Sequence, residues 1–327
     1  MMGKTYDVVA LGELLIDFTE NGMSAQGNPV FEANPGGAPC NVLAMLAKLG
    51  RKTAFIGKVG ADAFGYQLEQ ALIEVGIDTK ELKFDKEVHT TLAIVQTMAD
   101  GDRDFSFYRK PGADMMLRKE EVSQELLKDT KIFHFGTLSM TDEENRAATK
   151  YALDIAKENG AIVTFDPNIR MPLWDSWDSL SEQMDYGMRY CDVLKISDDE
   201  ILWFTGKESY IEGAKYLSDT YHIPLILVSL GKKGSFAYYQ NNVVFGDAFV
   251  LENTIETTGA GDTFMACVIH KVLEYGLENL NEASLREILQ FANAAAALVT
   301  TKKGALRVMP DRGEVEKLII ANREQKN

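Results

Sequence analysis

Cysteine is scarce in this chain of 327 residues: only Cys40, Cys191 and Cys267 occur, with no paired spacing. That excludes a disulfide framework and a zinc knuckle, and points to a reducing, cytoplasmic setting. Histidine is equally sparse, and His89, His134, His222 and His270 show no metal-binding spacing. Basic residues are in the minority, 34 against 49 acids, for a net charge of −15. That sign argues against nucleic acid or an anionic membrane as main partner, while leaving room for a small phosphate-bearing ligand at a local site. Long apolar runs are missing too. The charge-free stretch 288–301 is too short and too polar to span a bilayer. The N-terminal region meets Asp7 and Glu13 early and lacks a signal-type apolar core. No fixed-period repeat or low-complexity tract is present.

What the chain does have is 46% hydrophobic and 25% charged residues, the composition of a folded globular protein. Strand and helix patterns alternate. Short apolar runs at 6–11, 53–59, 132–135, 162–166, 193–196 and 225–229 read as strands. Helical spacing at 38–49, 62–75 and 142–159 ends each time at a glycine. Such alternation predicts a mostly parallel sheet covered by helices. Two regions break the rhythm. Residues 14–31 are strand-like but interrupted by Gly22, Gly27 and Pro29. Residues 91–98 and 105–108 alternate with period two around Asp100-Gly101-Asp102, a hairpin signature. Together they predict a small separate β-sheet, a lid inserted at about 14–34 and 89–110 into a single domain spanning 1–327.

Chemistry concentrates at the ends of these elements. Thr258-Gly259-Ala260-Gly261-Asp262 opens an apolar helix expected over 263–275. Small residues there leave first-turn amides open to an anion. Asp262 can accept a proton from an attacking hydroxyl, or simply cap those amides. Gly36-Gly37-Ala38-Pro39-Cys40-Asn41 is a second glycine turn running into a helix, where backbone can approach a ligand and Asn41 offers a donor and an acceptor. Asp17 follows the apolar run after Gly12 and can accept two vicinal sugar hydroxyls, or stand as an exposed strand charge. Asp166-Pro167-Asn168-Ile169-Arg170 falls at a strand's C-terminal end, where ligands of open α/β sheets collect. Arg170 can neutralise a migrating phosphoryl group or make a surface ion pair. The acids of Lys195-Ile196-Ser197-Asp198-Asp199-Glu200 can organise hydrated magnesium or cap the next helix. Ser229-Leu230-Gly231-Lys232-Lys233-Gly234 permits close backbone approach to a nucleotide or makes a plain strand-to-strand turn. No Walker-type loop occurs, and Phe264 stands where a dinucleotide fingerprint needs its third glycine.

The ordered pair of glycine motifs, 36–41 and 257–262, resembles the two signatures of the ribokinase-like (pfkB) carbohydrate kinases, and the resemblance covers nearly the whole chain. Within that family the sequence is most similar to the fructokinases, through Phe133-His134-Phe135-Gly136-Thr137-Leu138-Ser139 and the segment 166–174. The resemblance implies a three-layer α/β/α core with a mostly parallel sheet, a β lid, ATP and Mg²⁺. It implies Asp262 as catalytic base and the amides of Gly259, Ala260 and Gly261 as anion hole. Asp17, Gly36, Gly37 and Asn41 match sugar-contacting positions, Phe107 and Arg109 a lid segment closing over the sugar. Arg170 matches a residue near sugar and transferring phosphate. Lys195, Ser229, Gly231, Gly234 and Asn293 match nucleotide-side positions, and Glu200 the acid that organises magnesium.

Two departures stand out. Ser197 replaces the usual Asn of the magnesium motif. Glu256 replaces the Asp that helps hold a monovalent cation; it keeps the charge on a longer arm, so potassium activation is expected to survive. The expected activity is phosphorylation of D-fructose to fructose 6-phosphate. A 2-keto-3-deoxygluconate kinase is the rival enzyme, since Arg109 and Arg170 suit a carboxylate. A silent sugar-binding regulator is the non-enzyme rival, which the intact 259–262 segment disfavours. Apolar residues on alternating lid positions lead to the expectation of a homodimer through the lid.

Overall fold

The computed structural model describes residues 3–97 and 103–326. The hairpin turn expected at Asp100-Gly101-Asp102 lies outside the described residues. Strands are β1 (Tyr6–Leu11), β2 (Leu15–Met23), β3 (Pro29–Gly36), β4 (Thr53–Gly60), β5 (Ile77–Asp85), β6 (Leu92–Thr97), β7 (Arg103–Tyr108), β8 (Thr130–Gly136), β9 (Ile162–Asp166), β10 (Val193–Ser197), β11 (Leu225–Ser229), β12 (Ser235–Tyr239) and β13 (Asn242–Gly246). Helices are α1 (Ala38–Lys48), α2 (Ala63–Glu74), α3 (Gln124–Lys128), α4 (Glu143–Glu158), α5 (Trp177–Tyr190), α6 (Asp198–Thr205), α7 (Tyr210–Tyr221), α8 (Ala260–Tyr275), α9 (Glu282–Val299) and α10 (Arg312–Lys326).

Nine strands form one sheet in the order β13-β12-β11-β10-β9-β8-β1-β4-β5. Pairing is parallel from β11 through to β5 and antiparallel at β11/β12 and β12/β13. Period two explains the layering. Val8 and Ala10 of β1 enter a core shared with α1, α2, α8 and α9. Val9 and Leu11 enter the opposite core, shared with α4, α5 and α7. The expected α/β/α sandwich with a mostly parallel sheet is therefore present. Helix starts follow local chemistry. Asp62 caps α2 by accepting Gly65 N–H at 2.9 Å, and Asp142 accepts Glu144 N–H at the start of α4.

The chain runs β1, β4, β5 outward, then returns to β8 and proceeds the other way. The order reverses between β1 and β8, and the crevice above their C-terminal ends is where such sheets bind ligands. A second sheet, β3-β2-β6-β7, stands beside that crevice. The run 14–31 is not one strand: Gly22 (φ +80) sits at a register shift near the end of β2, and a turn closed by Gly27 N–H to Ser24 O at 2.9 Å, with Gly27 at φ +80, reverses the chain into β3. Phe18 on its outer side meets Phe64 of α2 edge-on, 5.6 Å between centroids, which fastens the small sheet to the core.

Candidate active site

A cavity of about 570 Å³ lies between the small sheet and the C-terminal ends of β1, β8, β9 and β10. Its roof follows from strand register. Leu15, Asp17 and Thr19 alternate onto one face of β2 and all reach the cavity. Asp17 pairs with Asn34 on one side and Ala93 on the other, and Ala93 pairs with Phe107, so one row crosses the sheet. Asn34, Asp17 and Phe107 of that row line the cavity. Gly36 also lines it, and a Cβ there would collide with Asp17 Oδ2.

The floor is the start of α8. The helix begins at Ala260, not at Thr263 as the apolar pattern predicts: Gly259, in the left-handed region (φ 75) that glycine adopts freely, is its N-cap, and its carbonyl accepts Thr263 N–H at 2.8 Å. Asp262 is thus the third helical residue, with its carboxylate in the cavity wall. First-turn amides lack intrahelical acceptors; that of Ala260 turns back on Thr257 O at 3.2 Å. Burial pushes the Asp262 carboxyl up, while the Asn41 hydrogen bond, Lys195 and Arg170 pull it back. Asn41 Nδ2 donates to Asp262 Oδ2 at 2.8 Å.

Lys195, Arg170 and Asn168 bring positive and amide groups to the same space. Lys195 Nζ pairs with buried Asp166 at 2.9 and 3.1 Å, and its ammonium lies against Gly261, where a Cβ would come within 2.9 Å. Burial alone would lower the Lys195 pKa, but Asp166, Glu200 and Asp262 outweigh it and hold the amine charged. Arg170 NH1 donates to its neighbour's carbonyl, Ile169 O, at 3.0 Å. Glu200 ties that loop down: its two oxygens accept Ile169 N–H at 2.8 Å and Ser197 N–H at 2.9 Å. It forms a capping box with Ser197 at the start of α6. Among the described residues no group of three or more His, Cys, Asp or Glu is placed to hold a metal ion.

Arg109 is not brought into the cavity. It is 3% exposed and committed to Asp114 Oδ2 (2.8 Å), Thr141 Oγ1 (2.9 Å) and Leu138 O (2.9 Å). Asp114, itself buried, requires that cation, which removes Arg109 as a partner for a substrate carboxylate. Ser229, Gly231, Gly234 and Asn293 form a separate group beyond β10. Ser229 registers with Ser197 and Ser235. Ser235 Oγ donates to Asn293 Oδ1 at 3.0 Å, and Asn293 Nδ2 reaches Gly246 O and Asp247 O. Gly231 and Gly234 take positive φ at the turn between β11 and β12. Glu256 lines the cavity and accepts Gly304 N–H at 2.7 Å.

Glu13 was not singled out as a functional residue by the sequence, though an acid between apolar neighbours was a signal of the same kind as Asp17. It lines the cavity at 4% exposure and accepts Ala38 N–H at 2.9 Å. Burial pushes its carboxyl up to about 7. His134 is buried against Thr164 Oγ1, 2.9 Å, and burial holds it neutral, with a pKa lowered to about 3.

The sequence profile of the pfkB family carbohydrate kinases matches residues 5–312. The chain is 38% identical over 322 residues to probable fructokinase-4 of Arabidopsis thaliana, covering 98% of each chain. Its structure is similar to that of the Xylella fastidiosa fructokinase with bound ATP: TM-score 0.87, 29% identity, 98% of this chain and 99% of that one. It is also similar to the Vibrio cholerae O395 fructokinase in its fructose-, ADP- and calcium-bound form: TM-score 0.86, 30% identity, 96% and 99% covered. Among the described residues no helix is long and apolar enough to cross a membrane.

Proposed function

The chain belongs to the pfkB family of carbohydrate kinases, and from that premise we propose that it transfers the γ-phosphoryl group of ATP to the 6-hydroxyl of D-fructose. The observation that carries this reading is Asp262, held at the start of α8 in a cavity whose opposite wall presents Asp17. Asp17 accepts hydroxyl hydrogens of the sugar, with Gly36, Gly37 and Asn41 beside it. Asp262 takes the proton of the primary hydroxyl as that oxygen bonds to the γ-phosphorus. The bond from phosphorus to the bridging oxygen breaks, and ADP leaves with the electron pair. The α8 start at Gly259, Ala260 and Gly261, with Arg170 and the Lys195 ammonium, stabilises the phosphoryl charge. Ser229, Gly231, Gly234 and Asn293 border the nucleotide.

Glu200, which ties Ile169 N–H to Ser197 N–H beside the cavity, would orient the water shell of a Mg²⁺ carried in on the nucleotide. When bound, Mg²⁺ would supply charge neutralisation for the nucleotide's phosphates. The small sheet is a lid inserted at about 14–34 and 89–110 of a single domain, and its closure with Phe107 excludes water. Its outer side exposes Met23 and Tyr108, 64% and 63% accessible, which supports pairing with a second copy. Sedimentation showing only monomer at micromolar concentration counts against that pairing. Three buried free thiols suit the cytoplasm, where ATP is supplied.

A coupled ADP-release assay over a sugar panel tests the reading. One matched hydrogen bond to a charged group contributes about 1.5–3 kcal/mol, so fructose should exceed ribose and 2-keto-3-deoxygluconate at least about tenfold in kcat/KM. With Arg109 committed to Asp114, the sugar acid has lost one of its two expected partners. A higher kcat/KM for the sugar acid would replace fructose as substrate and leave the kinase reading standing.

A further inference from the structure

Three strands of the small sheet, β2, β6 and β7, are rooted in the core around one buried ion pair. Arg109 directly follows β7, and Thr91 directly precedes β6. Arg109 and Asp114 pair at 2.8 Å, with side chains 2% and 1% exposed. Asp114 Oδ1 accepts the hydroxyl of Thr91, and Thr91 O accepts Ile16 N–H of β2 at 3.1 Å. On the core side the guanidinium donates to Leu138 O and to Thr141 Oγ1, both at 2.9 Å. Thr141 Oγ1 donates in turn to Leu138 O at 3.0 Å. The cluster is close-packed: a Cβ on Gly112 would overlap Thr91 Oγ1 and come within 2.9 Å of Asp114 Oδ1.

Each arm of this cluster ends a step from the cavity. Ile16 precedes Asp17, Phe107 stands two residues before Arg109, and Leu138 lines the cavity itself. A buried ion pair adds little to stability over well-packed apolar residues of similar volume, because both charges must be stripped of water. What apolar side chains cannot do is aim. The planar guanidinium fixes several acceptors at once in set directions, and here those acceptors belong both to the base of the small sheet and to the segment after β8.

We propose that Arg109 is a positioning residue for sugar phosphorylation: its pair with Asp114 roots the lid on the segment after β8 and so holds Asp17 and Phe107 at the distance from Leu138 at which the cavity closes around the sugar. Arg109 acts through those residues and does not touch the sugar. The proposal rests on the fructose-kinase reading above.

The test measures wild type, Arg109→Met, the double variant Arg109→Met/Asp114→Leu, and Arg109→Lys. For each, KM and kcat for fructose are taken at saturating Mg-ATP, ADP released is compared with fructose 6-phosphate formed, and the melting temperature is recorded. Arg109→Met strands the buried Asp114 carboxylate and should melt about 4–7 °C lower. The double variant removes the stranded charge and should recover to within about 3 °C of wild type. Its KM should nevertheless stay raised about tenfold, as the closed state becomes about tenfold rarer. Its kcat should change less than about threefold, because saturating sugar pulls the lid shut. ADP should exceed sugar phosphate, since a loosely held lid admits water. Arg109→Lys keeps a charge for Asp114 but lacks the fork, and should raise KM about threefold with kcat held. It carries the test alone should the double variant fail to fold. Return of KM and of the ADP-to-product ratio together with the melting temperature in the double variant would overturn the proposal and leave the pair purely structural, as would a wild-type KM in Arg109→Lys. Absence of fructose turnover in the wild type is a separate result, which removes the fructose reading and the proposal with it.

Discussion

Replacing Glu13 by Gln should make the enzyme less sensitive to alkaline pH while keeping the cap on α1. Glu13 is buried, and its carboxyl is pushed from 4.5 to about 7 by that burial, with the Ala38 amide pulling part of the way back. A carboxyl raised on folding favours the folded state below its unfolded pKa, and that advantage disappears as pH climbs through its folded pKa. At about 1.36 kcal/mol per pH unit, the interval from 4.5 to about 7 corresponds to about 3 kcal/mol, most of it between pH 5 and pH 7.5. Gln presents the same acceptor oxygen to Ala38 and does not titrate. At about 2.1 cal/mol/K per residue, 327 residues give an unfolding entropy near 0.7 kcal/mol/K, so 3 kcal/mol is worth about 4–5 °C. Thermal melts of both proteins at pH 5 and pH 8 should therefore differ: the wild type loses about 4 °C more than Glu13→Gln on going to pH 8. Parallel pH dependence in the two proteins would refute the reasoning, since it would mean that Glu13 ionises as freely when folded as when unfolded.

Gly36→Ala would drive a methyl group into Asp17 Oδ2; the side chain can move, so melting temperature should hold while KM for fructose rises at least about tenfold, and an unchanged KM would separate Asp17 from sugar binding. Lys195→Met leaves buried Asp166 without its cation, which should cost about 3–5 kcal/mol in denaturant unfolding as well as turnover, and a loss under about 1 kcal/mol would show the pair to be dispensable. Potassium should raise turnover over sodium through Glu256; equal rates in matched salts would show that its hold on Gly304 N–H is purely structural.

The core was legible because its signals are local and periodic. Tyr6–Leu11, Ile162–Asp166 and Leu225–Ser229 form strands with the bounds their apolar runs predict. The two glycine motifs were legible because glycine is required where backbone passes a side chain, as Gly36 passes Asp17 and Gly259 turns into α8. What sequence could not give was partnership across distance. Arg109 reads as a free lid cation, yet Asp114 and the Leu138 carbonyl claim it after folding. Glu13 reads as an ordinary acid, yet it caps a helix 25 residues on. Lys195 reads as a nucleotide-side residue, and only folding puts its ammonium beside Asp166 of the neighbouring strand β9 and against Gly261 of α8.

The most direct test of the central claim is the turnover of Asp262→Asn with fructose and saturating Mg-ATP, measured on folded protein beside an ATP-binding titration. The substitution keeps the size of the side chain and its place at the start of α8 but removes the proton acceptor. The account predicts a loss of roughly 10²–10⁴ in kcat with nucleotide affinity largely retained. Turnover within a fewfold of wild type would contradict it.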